Sequence, residues 1–322
     1  MKQTAAAPTV KAKYAVIFDL TSKQWIYEKG ADTPTPPAST TKLLTAMVLL
    51  DSWPLTHQIT IPASVKNIPP YKLHVREGEK YSVEDLLYGL LMRSANDVAH
   101  SLAVRRSGTE AKFSLLMNQK IQKIGATHSH FENAHGLPND KQFVTARDMA
   151  RITEAASRYP MIHQMLSTKY RMFLRPHYKA AGAKKKNTKL VNRNKLLIEN
   201  FHPLVYGKTG FTDLAGRCFA GYTTGKTPMI IVVMKSKDRW GDVKKLAKWS
   251  ASFYSNRISL NKSKCSQSKI LHCQKRLIEL GFLTIKADGR WGHESEAALL
   301  KFQGSRAITV DGLIGKGALE MN

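Results

Sequence analysis

Two short runs rich in β-branched and aromatic residues, Tyr14-Ala15-Val16-Ile17-Phe18-Asp19-Leu20 and Gln24-Trp25-Ile26-Tyr27, flank Thr21-Ser22-Lys23 and predict two strands with a turn between them. A mostly helical block follows, from Ser39 to about Arg158. Its starts are marked by Ser82-Val83-Glu84-Asp85 ahead of Leu86-Leu87, by Asn96, by Thr109, and by the box Thr145-Ala146-Arg147-Asp148. Strand patterns return at Leu204-Val205-Tyr206, Cys218-Phe219-Ala220-Gly221-Tyr222 and Met229-Ile230-Ile231-Val232-Val233-Met234, and a helix over about Asp242–Tyr254 closes the pattern. Strands at both ends of a helical insert predict an α+β architecture, one antiparallel sheet packed against helices.

Beyond about residue 267 the pattern changes. Asp288-Gly289-Arg290-Trp291-Gly292 recurs as Asp311-Gly312-Leu313-Ile314-Gly315, with helical runs over Ile270–Phe282 and Ser295–Gln303. Each Asp-Gly supplies a turn needing positive φ. The expected organisation is an N-terminal tail (1–12), a main domain (13–255), a polar linker (256–266) and a small helical C-terminal domain (267–322). A unit that small is near the limit for folding alone, and Cys265 and Cys273 are spaced so that a bridge between them can help. Cys218, in an apolar strand pattern, reads as a buried thiol.

Composition changes the picture in one respect. Fifty Lys+Arg against 24 Asp+Glu give a formal net charge of +26, so the surface favours polyanions. Anionic wall polymers and anionic lipid fit that charge. Nucleic acid ranks last, because no zinc-finger, RNA-recognition or basic-zipper pattern is present. Lys184-Lys185-Lys186 reads as a solvated loop. His128, His130 and His135 lie close in sequence, but the spacing fits scattered loop histidines better than a metal site, and no cofactor is expected. No stretch approaches the ~18 apolar residues of a membrane span. The first residues, Met1 to Pro8, lack the apolar middle of a secretory signal, which leaves a cytosolic protein or an exported one written without its signal.

The candidate chemistry lies in three motifs in fixed order: Ser39-Thr40-Thr41-Lys42, Ser94-Ala95-Asn96 and Lys208-Thr209-Gly210. They read as SxxK, SxN and KTG, the set found in serine acyl-transferases that react with penicillin. Chance matches to the first two occur around Ser259 and Ser266, in a polar stretch without a core face. Ser39, by contrast, follows Pro36-Pro37-Ala38 and precedes the apolar run Leu43–Leu50, which predicts a buried helix with Ser39 at or near its N-cap. Residues i and i+3 share a helix face, so Ser39 and Lys42 can touch.

The first 255 residues resemble the low-molecular-weight penicillin-binding proteins, specifically the D-alanyl-D-alanine carboxypeptidases. Arg93–Ala99, Phe131-Glu132-Asn133-Ala134-His135-Gly136-Leu137-Pro138 and Lys208–Gly216 carry the likeness beyond the three motifs. The tail from about 267 resembles the peptidoglycan-binding domain of wall-active hydrolases. The resemblance implies a penicillin-binding/β-lactamase-like transpeptidase fold, a periplasmic or wall-associated enzyme, peptidoglycan as partner, and β-lactams as covalent inhibitors.

Carried over by motif, Ser39 is the nucleophile and Lys42 its base, with a lysine pKa lowered by burial and by a cation such as Lys208. Ser94 relays a proton, and Asn96 bonds substrate and positions Lys42. Lys208, Thr209 and Arg239 hold the substrate carboxylate, and Gly210 allows close approach. The backbone N–H groups of Ser39 and Phe211 form the oxyanion hole. Phe211 stands where relatives often have His, and the wall-binding tail stands where many have an amphipathic anchor helix.

Three other readings use the same features: an endopeptidase cutting D-Ala cross-links, a non-catalytic wall-binding scaffold, and a β-lactamase. The last lacks its deacylating Glu-x-x-Leu-Asn here. Trp291 and the two Asp-Gly turns suggest a groove for the stem peptide, though Trp291 suits a core equally.

Overall fold

The computed structural model describes residues 7–69, 71–175, 187–225, 227–306 and 312–314. Lys184–Lys186, and Asp311 and Gly315 of the second Asp-Gly repeat, lie outside the described residues. In chain order the elements are β1 (Tyr14–Asp19), β2 (Gln24–Lys29), a 3₁₀ turn (Ala38–Thr41), α1 (Lys42–Leu50), β3 (Gln58–Thr60), β4 (Lys80–Ser82), α2 (Val83–Tyr88) and a π-helical turn (Gly89–Arg93). Then follow α3 (Asn96–Ser107), α4 (Glu110–Lys123), α5 (Ala146–Ser157), α6 (Pro160–Ser167), β5 (Tyr170–Phe173), β6 (Thr188–Val191) and α7 (Lys195–Ile198). The chain continues through β7 (Val205–Thr212), β8 (Gly216–Thr223), β9 (Met229–Ser236), α8 (Arg239–Lys264), α9 (Gln267–Glu279) and α10 (His293–Ser305).

The main sheet has the order β2-β1-β9-β8-β7, every neighbour antiparallel, so both ends of the main domain meet in it. Alternation decides its two faces. Val16, Ile230, Val232 and Met234 point into the core that includes residues of α1, α3 and α5. Ala15, Ile17, Ile231 and Val233 point to the opposite face, covered by Val243, Leu246 and Ala247 of α8. A sheet covered on both sides needs a strand apolar throughout, which explains the unbroken run in β9. The expected helix starts are present as side-chain caps: Ser82, Thr109 and Thr145 each accept from the backbone N–H three residues on. α1 is buried from Lys42 to Leu49.

Four expectations change at the periphery. The tail ahead of β1 is anchored from Val10, because Asp242 accepts the backbone N–H groups of Lys11 and Ala12 at 2.7 and 2.8 Å. The linker over 256–266 is instead α8 continuing to Lys264. Its polar look hid contacts supplied from afar: Ile258 packs on two cores, and buried Asn261 donates to Glu296 (3.0 Å) and to the Gly312 carbonyl (2.8 Å). Cys265 and Cys273 are unbridged, and burial pushes the Cys273 thiol up to about 12. Trp291 is core, with its indole N–H on Glu296 at 2.6 Å, so it lines no groove. Cys218 is the buried thiol expected.

The C-terminal unit uses one device twice. Gln274 of α9 accepts from the Asp288 and Gly289 N–H groups and donates to the Arg290 carbonyl and the Ser295 hydroxyl. Gln303 of α10 accepts from Gly312 N–H and donates to the Leu313 carbonyl. A glutamine from the preceding helix thus fixes the Asp288-Gly289 turn and, in the second copy, Gly312 and Leu313. Ala297 and Leu300 of α10 also join the core beneath the main sheet, which ties the unit to the main domain.

Candidate active site

Ser39 lies inside the 3₁₀ turn, not at an α-helix N-cap: α1 begins at Lys42, and neither helical element carries a side-chain cap. The turn is closed by the hydroxyls of Thr40 and Thr41, which donate to the carbonyls of Pro37 and Ala38. Two glycines let neighbouring segments grip it. A Cβ on Gly136, whose φ is +83°, would lie 1.8 Å from the Ala38 oxygen; one on Gly210 would lie 3.1 Å from the Ser39 nitrogen. The close approach expected at Gly210 is therefore first that of strand β7 to the turn that carries Ser39.

Lys42, fully buried, donates from Nζ to Ser39 Oγ (3.0 Å), Asn96 Oδ1 (2.8 Å) and the His135 carbonyl (2.6 Å). Burial is the main reason its pKa falls to about 7; the Arg193 charge adds to that, while Asp97 and Glu110 oppose it. Arg193 is thus a second cation acting on this pair of buried lysines, beside the expected mutual repulsion of Lys42 and Lys208. On the other side, Lys208 Nζ donates to Ser94 Oγ and to the Thr209 carbonyl, both at 2.9 Å, and its pKa is driven well down by burial and then by the Lys42 charge.

Ser94 follows the π-helical turn with φ +65° and ψ 35°, a left-handed conformation that costs a non-glycine residue about 1–2 kcal/mol. Such turns commonly mark functional sites. Asn96 begins α3, so one irregular turn delivers both ends of the SxN motif.

The loop over 131–138 forms the back of the site. Its Asn133 accepts from Gly136 N–H and donates to the Leu137 carbonyl, and Thr45 of α1 donates to the Ala134 carbonyl. His135 is buried, contrary to a scattered loop histidine. Its Nδ1 accepts from Leu137 N–H, so Nε2 carries the proton toward Glu110, 3.4 Å away; His100 Nδ1 lies 3.4 Å from the other carboxylate oxygen. Burial alone would raise the Glu110 pKa, but the two imidazoles hold it at about 2.

A cavity of about 320 Å³ opens beside Ser39, lined also by Tyr71, Arg93, Ser94, Arg193, Thr209, Gly210, Phe211 and Arg239. Arg239 is not the exposed helix-start arginine its position allows. Its guanidinium donates to the carbonyls of Gly210 (3.0 Å) and Cys218 (3.2 Å), and burial lowers its pKa to about 10. Phe211 is about half exposed at the rim, and β7 is the sheet's edge strand. All nine residues singled out in the sequence meet in this one place. Tyr71, Arg193 and Glu110 were not singled out, and Arg93 and His135 stood only within segments quoted for the likeness. Arg93 adjoins the SxN motif, but Arg193 carried no local signal in so basic a chain.

Residues 1–238 match the family described as D-alanyl-D-alanine carboxypeptidase. The chain belongs to the D-alanyl-D-alanine carboxypeptidase family. Residues 266–321 match a peptidoglycan binding domain, covering the C-terminal unit. Among curated relatives, D-alanyl-D-alanine carboxypeptidase DacC of Escherichia coli is 31% identical over 79% of this chain and 64% of its own length. The D-alanyl-D-alanine endopeptidase of the same organism is 31% identical over 76% of this chain and 79% of its own length. The chain thus spans less than two thirds of DacC. Among solved structures, the D-alanyl-D-alanine carboxypeptidase of Mycobacterium tuberculosis superposes with a TM-score of 0.70 at 27% identity, over 78% of this chain and 95% of that one. The Streptomyces K15 DD-transpeptidase gives 0.71 at 25% identity, over 77% and 100%. The family's sheet-and-helix architecture is the fold described above.

Proposed function

We propose that this family member is a serine D-alanyl-D-alanine carboxypeptidase that removes the terminal D-Ala of peptidoglycan pentapeptide stems. The observation that carries this is the buried Lys42 amine, 3.0 Å from Ser39 Oγ with its pKa near 7, because it makes an otherwise weak hydroxyl a usable nucleophile.

Ser39 Oγ attacks the carbonyl of the penultimate D-Ala while its proton passes to neutral Lys42. The backbone N–H groups of Ser39 and Phe211 stabilise the oxyanion, an effect of about 3–4 kcal/mol per donor. Collapse of the tetrahedral intermediate breaks the peptide bond. Ser94, held by Lys208, relays the proton to the leaving amine, and water then hydrolyses the acyl-enzyme. Asn96 bonds the substrate amide and fixes Lys42. The peptide lies along edge strand β7, with its carboxylate on Lys208, Thr209 and Arg239. A β-lactam enters the same sequence and stalls as the Ser39 ester.

The C-terminal unit holds the enzyme on peptidoglycan, and the basic surface adds attraction to anionic wall polymers. This places the working enzyme in the periplasm or at the wall. A second reading is an endopeptidase on cross-links, because a curated endopeptidase is matched at the same 31% identity as DacC.

Wild type and Ser39→Ala are incubated with a pentapeptide-stem monomer and with a cross-linked dimer, and products are followed by mass. Ser39-dependent loss of one D-Ala from the monomer alone is the expected result. Cleavage of the dimer would move the assignment to endopeptidase. No Ser39-dependent product from either would leave a binding protein.

A further inference from the structure

One charged group close to the site has no part in the reaction as written. Glu110, the first residue of α4, puts its carboxylate between two imidazoles: His135 Nε2 lies 3.4 Å from one oxygen and His100 Nδ1 3.4 Å from the other. The Glu110 side chain is 25% exposed, those of His100 and His135 only 11% and 9%. As a structural tie the arrangement is poor. Glu110 Oε1 and His100 Nδ1 are buried, yet neither makes a well-aligned hydrogen bond among the described residues. Keeping a carboxylate ionised in such a setting costs stability that contacts of this length return only in part.

The position of the carboxylate explains it better. Besides Ser39 Oγ, Lys42 Nζ rests on two acceptors: Asn96 Oδ1 of α3 and the His135 carbonyl of the loop over 131–138. His135 is itself one arm of the clamp. The other arm, His100, lies one turn beyond Asn96 on the same face of α3, and Ser64 holds it from behind, Oγ to Nε2 at 2.8 Å. Glu110 therefore ties together the two elements that carry the Lys42 acceptors. α4 grips the loop at a second point, where Asn118 accepts from the Phe131 N–H (2.9 Å) and donates to the Phe131 carbonyl (2.8 Å). Charge acts across the same short path. Glu110 and Asp97 favour the protonated Lys42 amine against burial and Arg193, while Lys42 in turn bears on His135 and Lys208.

We propose that Glu110 is a positioning residue for the reaction: it clamps α3 to the loop over 131–138 and so fixes the cradle of acceptors in which the Lys42 amine sits. The role rests on the function proposed above, in which Lys42 is the base. The same carboxylate is a counter-charge to that base, so the clamp sets both the place of the amine and the pH at which it gives up its proton.

The test compares wild type, Glu110→Gln and Glu110→Ala. Glutamine keeps the reach to both imidazoles and loses the charge; alanine loses both. The Lys42 titration is read without any reaction, by nitrogen NMR of isotope-labelled lysine, its signal identified by its absence in Lys42→Met. Removing a nearby anion disfavours the protonated amine, so the midpoint is expected to move down by about half a pH unit or more in Glu110→Gln. Ser39 acylation by a labelled penicillin, measured above the midpoint, is expected to slow about tenfold or more in Glu110→Ala, and glutamine to recover most of that loss. Should Glu110→Ala fail to fold, His100→Ala opens the α3 arm alone and the same fall in rate is expected. An unshifted midpoint in Glu110→Gln would overturn the proposal, as would wild-type acylation in the alanine variant. A merely structural tie would lower the melting temperature and leave the midpoint in place. Release of D-Ala by wild type is followed separately. Its absence, with the Lys42 titration shifted in Glu110→Gln, would refute the proposed reaction and leave the clamp standing.

Discussion

Lys42→Met separates the two consequences of burying this lysine. The amine's pKa is 10.5 in the open chain and about 7 in the fold. At about 1.4 kcal/mol per pKa unit, the folded state forgoes about 5 kcal/mol below about pH 7. Between the two values the unfolded chain binds the proton that the folded chain has released, so stability rises with pH through that window. The penalty is full below both values and gone above 10.5. From about pH 7 to about pH 9 the gain amounts to about 2 kcal/mol, after allowing for the half-protonated amine at the start.

Methionine fills the same space and does not titrate. It removes the contacts to Ser39 Oγ, Asn96 Oδ1 and the His135 carbonyl, and any change in those contacts as the wild-type amine loses its proton is already contained in that amine's pKa. Lys208 titrates in both proteins, and the only part of its effect that differs is the part due to the Lys42 charge. The assay is urea unfolding of wild type and Lys42→Met at both pH values, paired with the rate of Ser39 acylation by a labelled penicillin. Wild type is expected to gain about 2 kcal/mol more than the mutant on going to the higher pH. Its acylation rate should rise through about pH 7, while the mutant is inert throughout. Equal gains in the two proteins would mean that Lys42 does not change charge in this range, and its role as base would fall with it.

Two further outcomes follow from the packing. Gly136→Ala, which meets the Ala38 oxygen at 1.8 Å from a backbone at φ +83°, is expected to displace the Ser39 turn; it should cost ~3 kcal/mol or more in thermal unfolding and slow acylation at least about tenfold. Gln274→Ala leaves the Asp288-Gly289 turn without its buried acceptor and donor, and is expected to cost about 2–4 kcal/mol and reduce co-sedimentation with purified wall, with acylation by penicillin retained.

The sequence by itself determined the three-motif candidate site, the α+β class and the likeness of the tail to a peptidoglycan binding domain. SxxK, SxN and KTG are local spacings, and helix starts at Ser82, Thr109 and Thr145 are local capping chemistry, so both can be read without a partner segment. Burial of Lys42 was also legible, because an apolar run leaves a helix lysine no route to water. Tertiary structure decided what depends on residues distant in sequence. Ser39 sits in a 3₁₀ turn because Gly136 and Gly210 bring two remote segments against it. Residues 256–264 are helix rather than linker because Asn261 finds Glu296 and Gly312. Trp291 is core because Glu296 takes its N–H. Arg193 reaches the cavity, and depresses Lys42, only because its backbone N–H is bonded to Met92. Charge and burial act through space, so no periodicity or motif in the chain could announce which of its many arginines would act on Lys42.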